Sequence, residues 1–309
     1  MTDAAQEPIL HHFDSSPFSE KVRLMFGLKG LSWRSAIIPS LMPKPDYTPL
    51  TGGYRRTPSL QIGADVYCDT QVILAEIERR WPAPKAVRGG LDWAINLWAD
   101  RQFFGATVPI IFGELGDKVG EDFIKDREAM SGRPFDVAAM KAASGPMKGQ
   151  WRGQAAWLED QLASTGTGWL AGDAAGLADI AAYMNVWFLG GFLPGSVEAL
   201  TPGMPNLAAW AKRVAAIGHG ERREIDPKEA LAVARAATPA GGLAHDAADP
   251  IGLAPGAPVV VMADDYGRDP VAGRLVAATP RRIVLERDDP VVGTVHVHFP
   301  RAGFIAVPG

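Results

Sequence analysis

Ser16-Pro17 is the first point in the chain where residue types and spacing could do chemistry. Serine followed by proline marks a helix start, with the hydroxyl at the N-cap and proline at the first helical position. At such a terminus the hydroxyl, the unpaired backbone N–H groups and the helix dipole all favour an anion. Ser15 and Ser19 are alternatives for the same role, and a plain N-cap is the alternative without chemistry. Asp69-Thr70 is a second helix start of this kind. Its hydroxyl and N–H groups suit a carboxylate and its acid suits an ammonium, unless it is an ordinary Asx cap. Arg56, or its neighbour Arg55, could pair with a further carboxylate or simply lie on the surface.

The histidines and the cysteine read as structural. His296 and His298 stand two apart and share one face of a strand, half of a metal site with no third or fourth ligand evident. The expectation is a solvent-facing polar stripe opposite Val295, Val297 and Phe299, and no metal. His11 and His12 alternate faces, one of them expected to be a satisfied buried histidine. Cys68, the single cysteine, reads as core, excludes an internal disulfide and suits a reducing compartment. Gly52-Gly53 match no phosphate-cradling loop.

Elements of different periods must position these groups. Over residues 8–82 the order is a strand at 8–13, a helix from Pro17 to Gly30, a strand Ser32–Ile38 and an irregular loop Pro39–Pro49. Two strands, 57–62 and 64–68, follow around Gly63, then a helix from Asp69-Thr70 to about Arg80. This order predicts a mixed sheet with helices packed on it. From 91 to 237 the period is 3.6, with helices expected over 91–115, 121–130, 135–142, 146–162, 177–189, 205–217 and 227–237. The stretch 177–189 is apolar nearly all round and should be the central helix. Glu221-Arg222-Arg223-Glu224 reads as a solvated helix end. Residues 238–257, with almost no large side chain, read as a linker. From 258 to 309 the period falls to two over five short strands, the pattern of a small antiparallel barrel or roll. Asp264-Asp265-Tyr266-Gly267 and Asp288-Asp289-Pro290 are turns within it.

With 309 residues, 47% hydrophobic and 21% charged, the chain can build two or three domains with real cores. A net charge of −4 supplies neither a basic field for nucleic acid nor a polybasic membrane patch. No run reaches the roughly 20 apolar residues of a membrane span. Met1 to Pro8 is polar and acidic, unlike a signal peptide, so a cytosolic location is expected.

Four segments together resemble the glutathione transferase superfamily. Ser16-Pro17-Phe18-Ser19 follows the first strand and resembles the Ser-Pro-Phe of the plant tau class and the Cys-Pro-Phe of the omega class. Arg56-Thr57-Pro58 resembles the Lys-Val-Pro segment, whose proline is cis in the family, and Asp69-Thr70 stands in place of Glu-Ser. Trp169-Leu170-Ala171-Gly172-Asp173 with Ala178-Asp179-Ile180 resembles the approach to the central helix of the second domain. There Asp179 reads as the capping acid, and Gly176 stands where the family has Ser or Thr. The resemblance covers roughly residues 8–220 and stops short of the C-terminal strands.

The resemblance implies a thioredoxin-like glutathione-binding domain over 8–82, an all-α domain over 91–237 and an added small β domain over 258–309. It implies glutathione as co-substrate, its thiol held ionised by Ser16 and its cysteinyl backbone paired with Thr57 beside a cis Pro58. The γ-glutamyl end would rest on Asp69 and Thr70, the glycyl carboxylate on Arg56. No second redox cysteine stands at Ser19, which argues against disulfide exchange. Phe13, Phe18, Trp98, Phe104 and Trp151, with Arg101 as a polar handle, are candidate walls for a small hydrophobic electrophile, core packing being the commoner role for each aromatic. A homodimer is implied as well. The alternatives are a non-catalytic glutathione-binding or scaffolding protein acting through its β domain, and a glutathione-dependent enzyme that cleaves aryl ethers. Thr51-Gly52-Gly53 and residues 123–128 lean weakly to the latter.

Overall fold

The computed structural model describes residues 7–309; residues 1–6, the start of the polar N-terminal segment, lie outside the described residues. Ile9–His12 (β1), Pro17–Lys29 (α1) and Ser32–Ile37 (β2) form a β-α-β unit. After a single turn, Thr48–Thr51 (α2), come Ser59–Ile62 (β3), Asp65–Cys68 (β4) and Thr70–Arg80 (α3). β1 is parallel to β2 and antiparallel to β3, and β3 is antiparallel to β4, the mixed sheet that the alternation predicts. Helix α1 starts where the hydroxyl-proline signal stands. Ser16 Oγ accepts from Ser19 N at 3.2 Å, and Gly30 closes the helix in the left-handed region at φ 61°.

The helical region runs Gly90–Trp98 (α4), Phe104–Leu115 (α5), Glu121–Ser131 (α6), Val137–Thr165 (α7), Leu177–Phe192 (α8), Ser196–Leu200 (α9) and Pro205–Ala215 (α10). A π turn, Ala99–Phe103, joins α4 to α5 without a break. The two helices expected at 135–142 and 146–162 are one, α7, with Pro146 inside it. Proline forfeits one backbone bond, but α7 lies along α5 at close range. A Cβ at Gly113 would sit 2.7 Å from the Met140 carbonyl oxygen. Close packing on a neighbour outweighs the local break signal. Helix α8 is buried along nearly its whole length, as its composition requires.

Gly176, the departure from Ser or Thr at the N-cap of α8, has a spatial reason. A Cβ there would lie 2.1 Å from Arg88 Nη1 and 2.8 Å from the Ala86 carbonyl oxygen. The cap is instead completed by Asp179, whose carboxylate accepts from Gly176 N at 3.0 Å, Leu170 N at 2.9 Å and Trp210 Nε1 at 2.8 Å. The acid is structural, as read.

Glu221-Arg222-Arg223-Glu224 is not a helix end. Glu221–Ile225 forms a strand (β5), parallel to β2 at the sheet edge. A short edge strand tolerates charge on both faces, so tertiary pairing overrides the local pattern. Arg222 reaches Asp14 at 2.7 Å from this strand. Pro227–Ala236 (α11) follows. Residues 238–257 carry no helix or strand, yet they are pinned: Ala240 N donates to Asp65 Oδ2 at 2.9 Å, and Asp249 pairs with Arg301 at 3.0 Å.

The five C-terminal strands are Pro258–Ala263 (β6), Val271–Ala278 (β7), Arg282–Asp289 (β8), Gly293–Pro300 (β9) and Phe304–Pro308 (β10). β10 follows β9 by three residues, yet it pairs with β6 at the other side of the group. The strands therefore curl around a shared core, with Phe299 and Phe304 ring centroids 5.5 Å apart. Pattern alone did not foretell that β9 pairs in parallel with β4, making one sheet in the order β10-β6-β7-β8-β9-β4-β3-β1-β2-β5. Alternation along β4 serves two cores: Tyr67 packs toward the helices, Val66 and Cys68 toward the C-terminal strands. Cys68 is buried, as expected, and burial pushes its thiol above the usual range.

His296 and His298 are not a solvent-facing stripe. They are 7% and 1% exposed, because the face opposite Val295 and Val297 is covered where β9 joins β4 and α3 packs across them. His11 and His12 are both buried, bonded to Gln61 Oε1 and Ser35 Oγ, each at 2.9 Å.

Candidate functional site

The two helix starts singled out by composition converge near one cleft. Four of the expected residues, Phe18, Arg56, Asp69 and Arg101, line it together with Gln71, Leu97 and Asp100. Ser16 stands two residues before Phe18, 3% exposed; it does not itself line the cleft. Its oxygen accepts one backbone bond, which leaves its O–H free to donate. Ser15 is exposed, whereas Ser19 is fully buried with an unpartnered Oγ.

Asp69 holds φ 88° and ψ 141°, the one non-glycine positive φ among the described residues. Such a conformation costs on the order of 1–3 kcal/mol and persists where surrounding contacts over-determine it, commonly at binding sites. The carboxylate caps α3 by accepting from Gln71 N at 2.9 Å. Burial pushes its pKa up to about 6, against the opposing pull of that bond. Thr70 Oγ1 is buried at the same terminus without a partner. The free N–H groups of α3 and this hydroxyl together can hold a carboxylate.

The Thr57-Pro58 bond is cis, the isomer that the resemblance implies. Its segment is held from behind: Lys44 Nζ donates to Arg55 O at 2.9 Å and Thr57 Oγ1 at 3.2 Å, and Tyr47 Oη donates to Arg56 O at 2.8 Å. Burial lowers the Lys44 pKa to about 8. Among the described residues nothing bonds the Thr57 backbone N–H or C=O, so that short edge can pair with an extended ligand. Arg55, the second choice for a carboxylate, is taken up by Asp126 of α6.

The aromatics divide. Phe18 meets Phe104 edge-on at 4.9 Å, and Phe104 stacks on Phe188 at 5.9 Å, an apolar seam between the sheet domain and the helices. Trp151 is fully buried against Phe103 and belongs to the helical core, not to the cleft. Trp98 stacks on Phe103 at 5.2 Å, and neither it nor half-buried Phe13 lines the cleft.

Residues that sequence reasoning missed close the cleft from the C-terminal strands. Asp265 pairs with Arg56 at 2.5 Å, and Tyr266 places its ring 5.9 Å beneath the same guanidinium. Asp264 pairs with Arg101 at 2.5 Å, and Ala302 O accepts from Gln71 Nε2 at 3.0 Å. Gly303 and Phe304 complete the wall, and a Cβ at Gly303 would meet Arg101 Nη2 at 2.8 Å. From the opposite side Lys21, fully buried, donates to Asn96 at 2.9 Å and Asp100 at 2.6 Å and ties α1 to α4. The only signal for the closing loop was an acidic pair within a turn, which punctuates chains far more often than it binds anything.

Residues 10–85 match the family description "Glutathione S-transferase, N-terminal domain" and residues 141–213 "Glutathione S-transferase, C-terminal domain". Among solved structures, a GST-like protein from Pseudomonas syringae is 35% identical with a TM-score of 0.81. The match covers 98% of this chain and 100% of that one, so it takes in the C-terminal strands. FzlA from C. crescentus is 24% identical, with a TM-score of 0.50 over 67% of this chain and 87% of that one. A glutathione S-transferase from Rhodospirillum rubrum F11 is 20% identical, with a TM-score of 0.53 over 68% and 88%. These last two speak to the fold alone. Curated proteins give no match.

Proposed function

Because the chain belongs to the glutathione S-transferase family, we propose that it binds glutathione in the cleft lined by Phe18, Arg56 and Asp69 and holds its thiol ionised at Ser16 for attack on a hydrophobic electrophile. The observation that carries this reading is a strained helix cap in the cleft wall, Asp69, with a buried hydroxyl without a partner next to it, Thr70, and an unpaired backbone edge, Thr57, one residue beyond cleft-lining Arg56. Each matches one part of the tripeptide. Thr70 and the α3 terminus suit the γ-glutamyl carboxylate, Asp69 its ammonium, and Thr57 the cysteinyl backbone. The apolar seam from Phe18 through Phe104 to Phe188 offers a wall for the second substrate. Calorimetric titration with glutathione is the direct test, and no heat of association would end the reading.

The Asp69 pKa sets the sign of a pH effect. A ligand ammonium needs the ionised acid, and that form is lost as pH falls through about 6. Glutathione should bind about tenfold more weakly at pH 5 than at pH 7, one unit below the pKa leaving about a tenth of the acid ionised. In Asp69→Asn the affinity should be weak and flat over that range. A wild-type profile equally flat would remove Asp69 from the site.

Arg56, the proposed partner of the glycyl carboxylate, is already held by Asp265. Glutathione must therefore displace a contact made by the chain itself. Partly exposed pairs of this type contribute at most about 1 kcal/mol each, so the clasp yields to a ligand that replaces it. The double variant Asp264→Asn, Asp265→Asn should bind glutathione about three- to tenfold more tightly. Weaker binding would make those carboxylates part of the ligand site instead.

The same clasp favours a second reading, a glutathione-binding scaffold with little catalysis. Thiolate absorbance of bound glutathione at neutral pH separates the two, being present only if the thiol is ionised on the protein.

A further inference from the structure

The joint between the N-terminal sheet and the C-terminal strands consists of three paired positions, Asp65 with His296, Val66 with Val297 and Tyr67 with His298. Asp65, His296 and His298 stand on one face of this joint, the face against which α3 packs, and they are 4%, 7% and 1% exposed. One oxygen of the acid and one nitrogen of each imidazole lie within 4.8 Å of one another. His298 Nε2 is 2.7 Å from Asp65 Oδ1, and His296 Nδ1 is 3.8 Å from the same oxygen.

His296 is the telling residue. Among the described residues its ring makes no hydrogen bond: Nδ1 is buried without a partner, and Nε2 stops 3.8 Å short of Glu286 Oε2. A buried imidazole nitrogen without a partner, as Nδ1 is, carries a desolvation cost that strand pairing does not recover, and an aliphatic side chain would pack there without it. The surroundings meanwhile hold the other two groups still. Asp65 Oδ2 accepts from Ala240 N at 2.9 Å, and the Tyr67 ring stacks on His298 at 4.3 Å with 21° between planes.

We propose that Asp65, His296 and His298 bind a divalent transition ion of the zinc class, which staples β9 to β4. Two imidazoles and a carboxylate are a zinc donor set, whereas calcium and magnesium prefer oxygen alone. Ligands about 2.0–2.2 Å from a tetrahedral ion stand about 3.3–3.6 Å from each other. The two Asp65–histidine separations, 2.7 Å and 3.8 Å, fall on either side of that range and the two imidazole nitrogens lie within 4.8 Å of each other, so side-chain movements of about an ångström complete the site. Ligation through Nδ1 leaves His296 Nε2–H directed at Glu286, the carboxylate-behind-imidazole arrangement that fixes the tautomer of a metal-bound histidine. Water fills the fourth position.

The test uses the full chain, stripped with a chelator and titrated with Co2+. The visible d–d absorption of tetrahedral cobalt should saturate at one equivalent per chain and disappear on addition of Zn2+. Zn2+ should also raise the Tm of the stripped protein. His296→Gln and Asp65→Asn, both close in size to the native residues, should keep the far-ultraviolet circular dichroism of the wild type and weaken Co2+ binding at least about 100-fold. A wild-type protein without the cobalt band, or a band undiminished in folded His296→Gln, overturns the site. No glutathione is present in the assay, so its outcome is independent of the catalytic reading.

Discussion

Ser16→Ala is expected to lower turnover about 10²- to 10³-fold while the protein stays folded. The size follows from the role. A donor placed where negative charge must be held is worth roughly that factor when removed, and the Ser16 O–H is free to donate because its oxygen already accepts from Ser19 N at 3.2 Å. The same hydroxyl is also an N-cap, whose loss costs about 0.5–2 kcal/mol of stability. The two effects separate in measurement: kcat at saturating glutathione with a model aromatic electrophile should collapse, while Tm falls by only a few degrees. The thiolate absorbance of bound glutathione at neutral pH should fade in parallel, since the anion loses a donor. Unchanged turnover would pass the role to exposed Ser15 or to Ser19, whose Oγ is buried without a partner.

Asp179→Ala should produce the largest loss of stability at any position outside the cleft. The carboxylate is fully buried and accepts from two backbone N–H groups and the Trp210 indole, at 2.8–3.0 Å. Burial raises its pKa, and those three donors pull the other way. Truncation strands three buried donors at about 1–3 kcal/mol each; even with partial relaxation a total near 4 kcal/mol is expected, a large part of ordinary domain stability. Urea unfolding measures it as a shift in midpoint, and Asp179→Asn, which keeps one acceptor oxygen, should fall between. Gly176 cannot compensate, because Arg88 and Ala86 occupy the space in which a capping side chain would stand. A shift under about 1 kcal/mol would mean that the three bonds contribute little.

Local signals explain which expectations held. The start of α1, the mixed sheet and the apolar helix α8 each follow from hydroxyl, proline and apolar spacing within a few residues, and each appears where read. Local signals also explain the errors. Pro146 was read as a boundary because proline weakens an isolated helix, but α7 is held by α5 along its side. Glu221 to Glu224 looked solvated because charge on every position fits no buried face, but an edge strand needs pairing on one side only. His296 and His298 looked exposed because alternation distinguishes two faces without saying what covers either.

The cleft was half legible. Phe18, Arg56, Asp69 and Arg101 could be named in advance, since helix starts and an arginine beside Thr57-Pro58 advertise themselves by type and spacing. Asp264, Asp265 and Gly303 could not, because they reach Arg56 and Arg101 across some 160 to 210 positions of chain.

By itself the sequence determined the periods, the caps and the groups able to hold an anion, all properties decided by neighbours along the chain. Tertiary structure alone decided that β9 adds to β4, that an acidic turn closes over two arginines, and that one acid and two histidines meet beneath α3. The physical reason is that backbone pairing and side-chain complementarity between distant segments are set by shape and by what each surface leaves unsatisfied, and neither quantity exists until the segments have folded against one another.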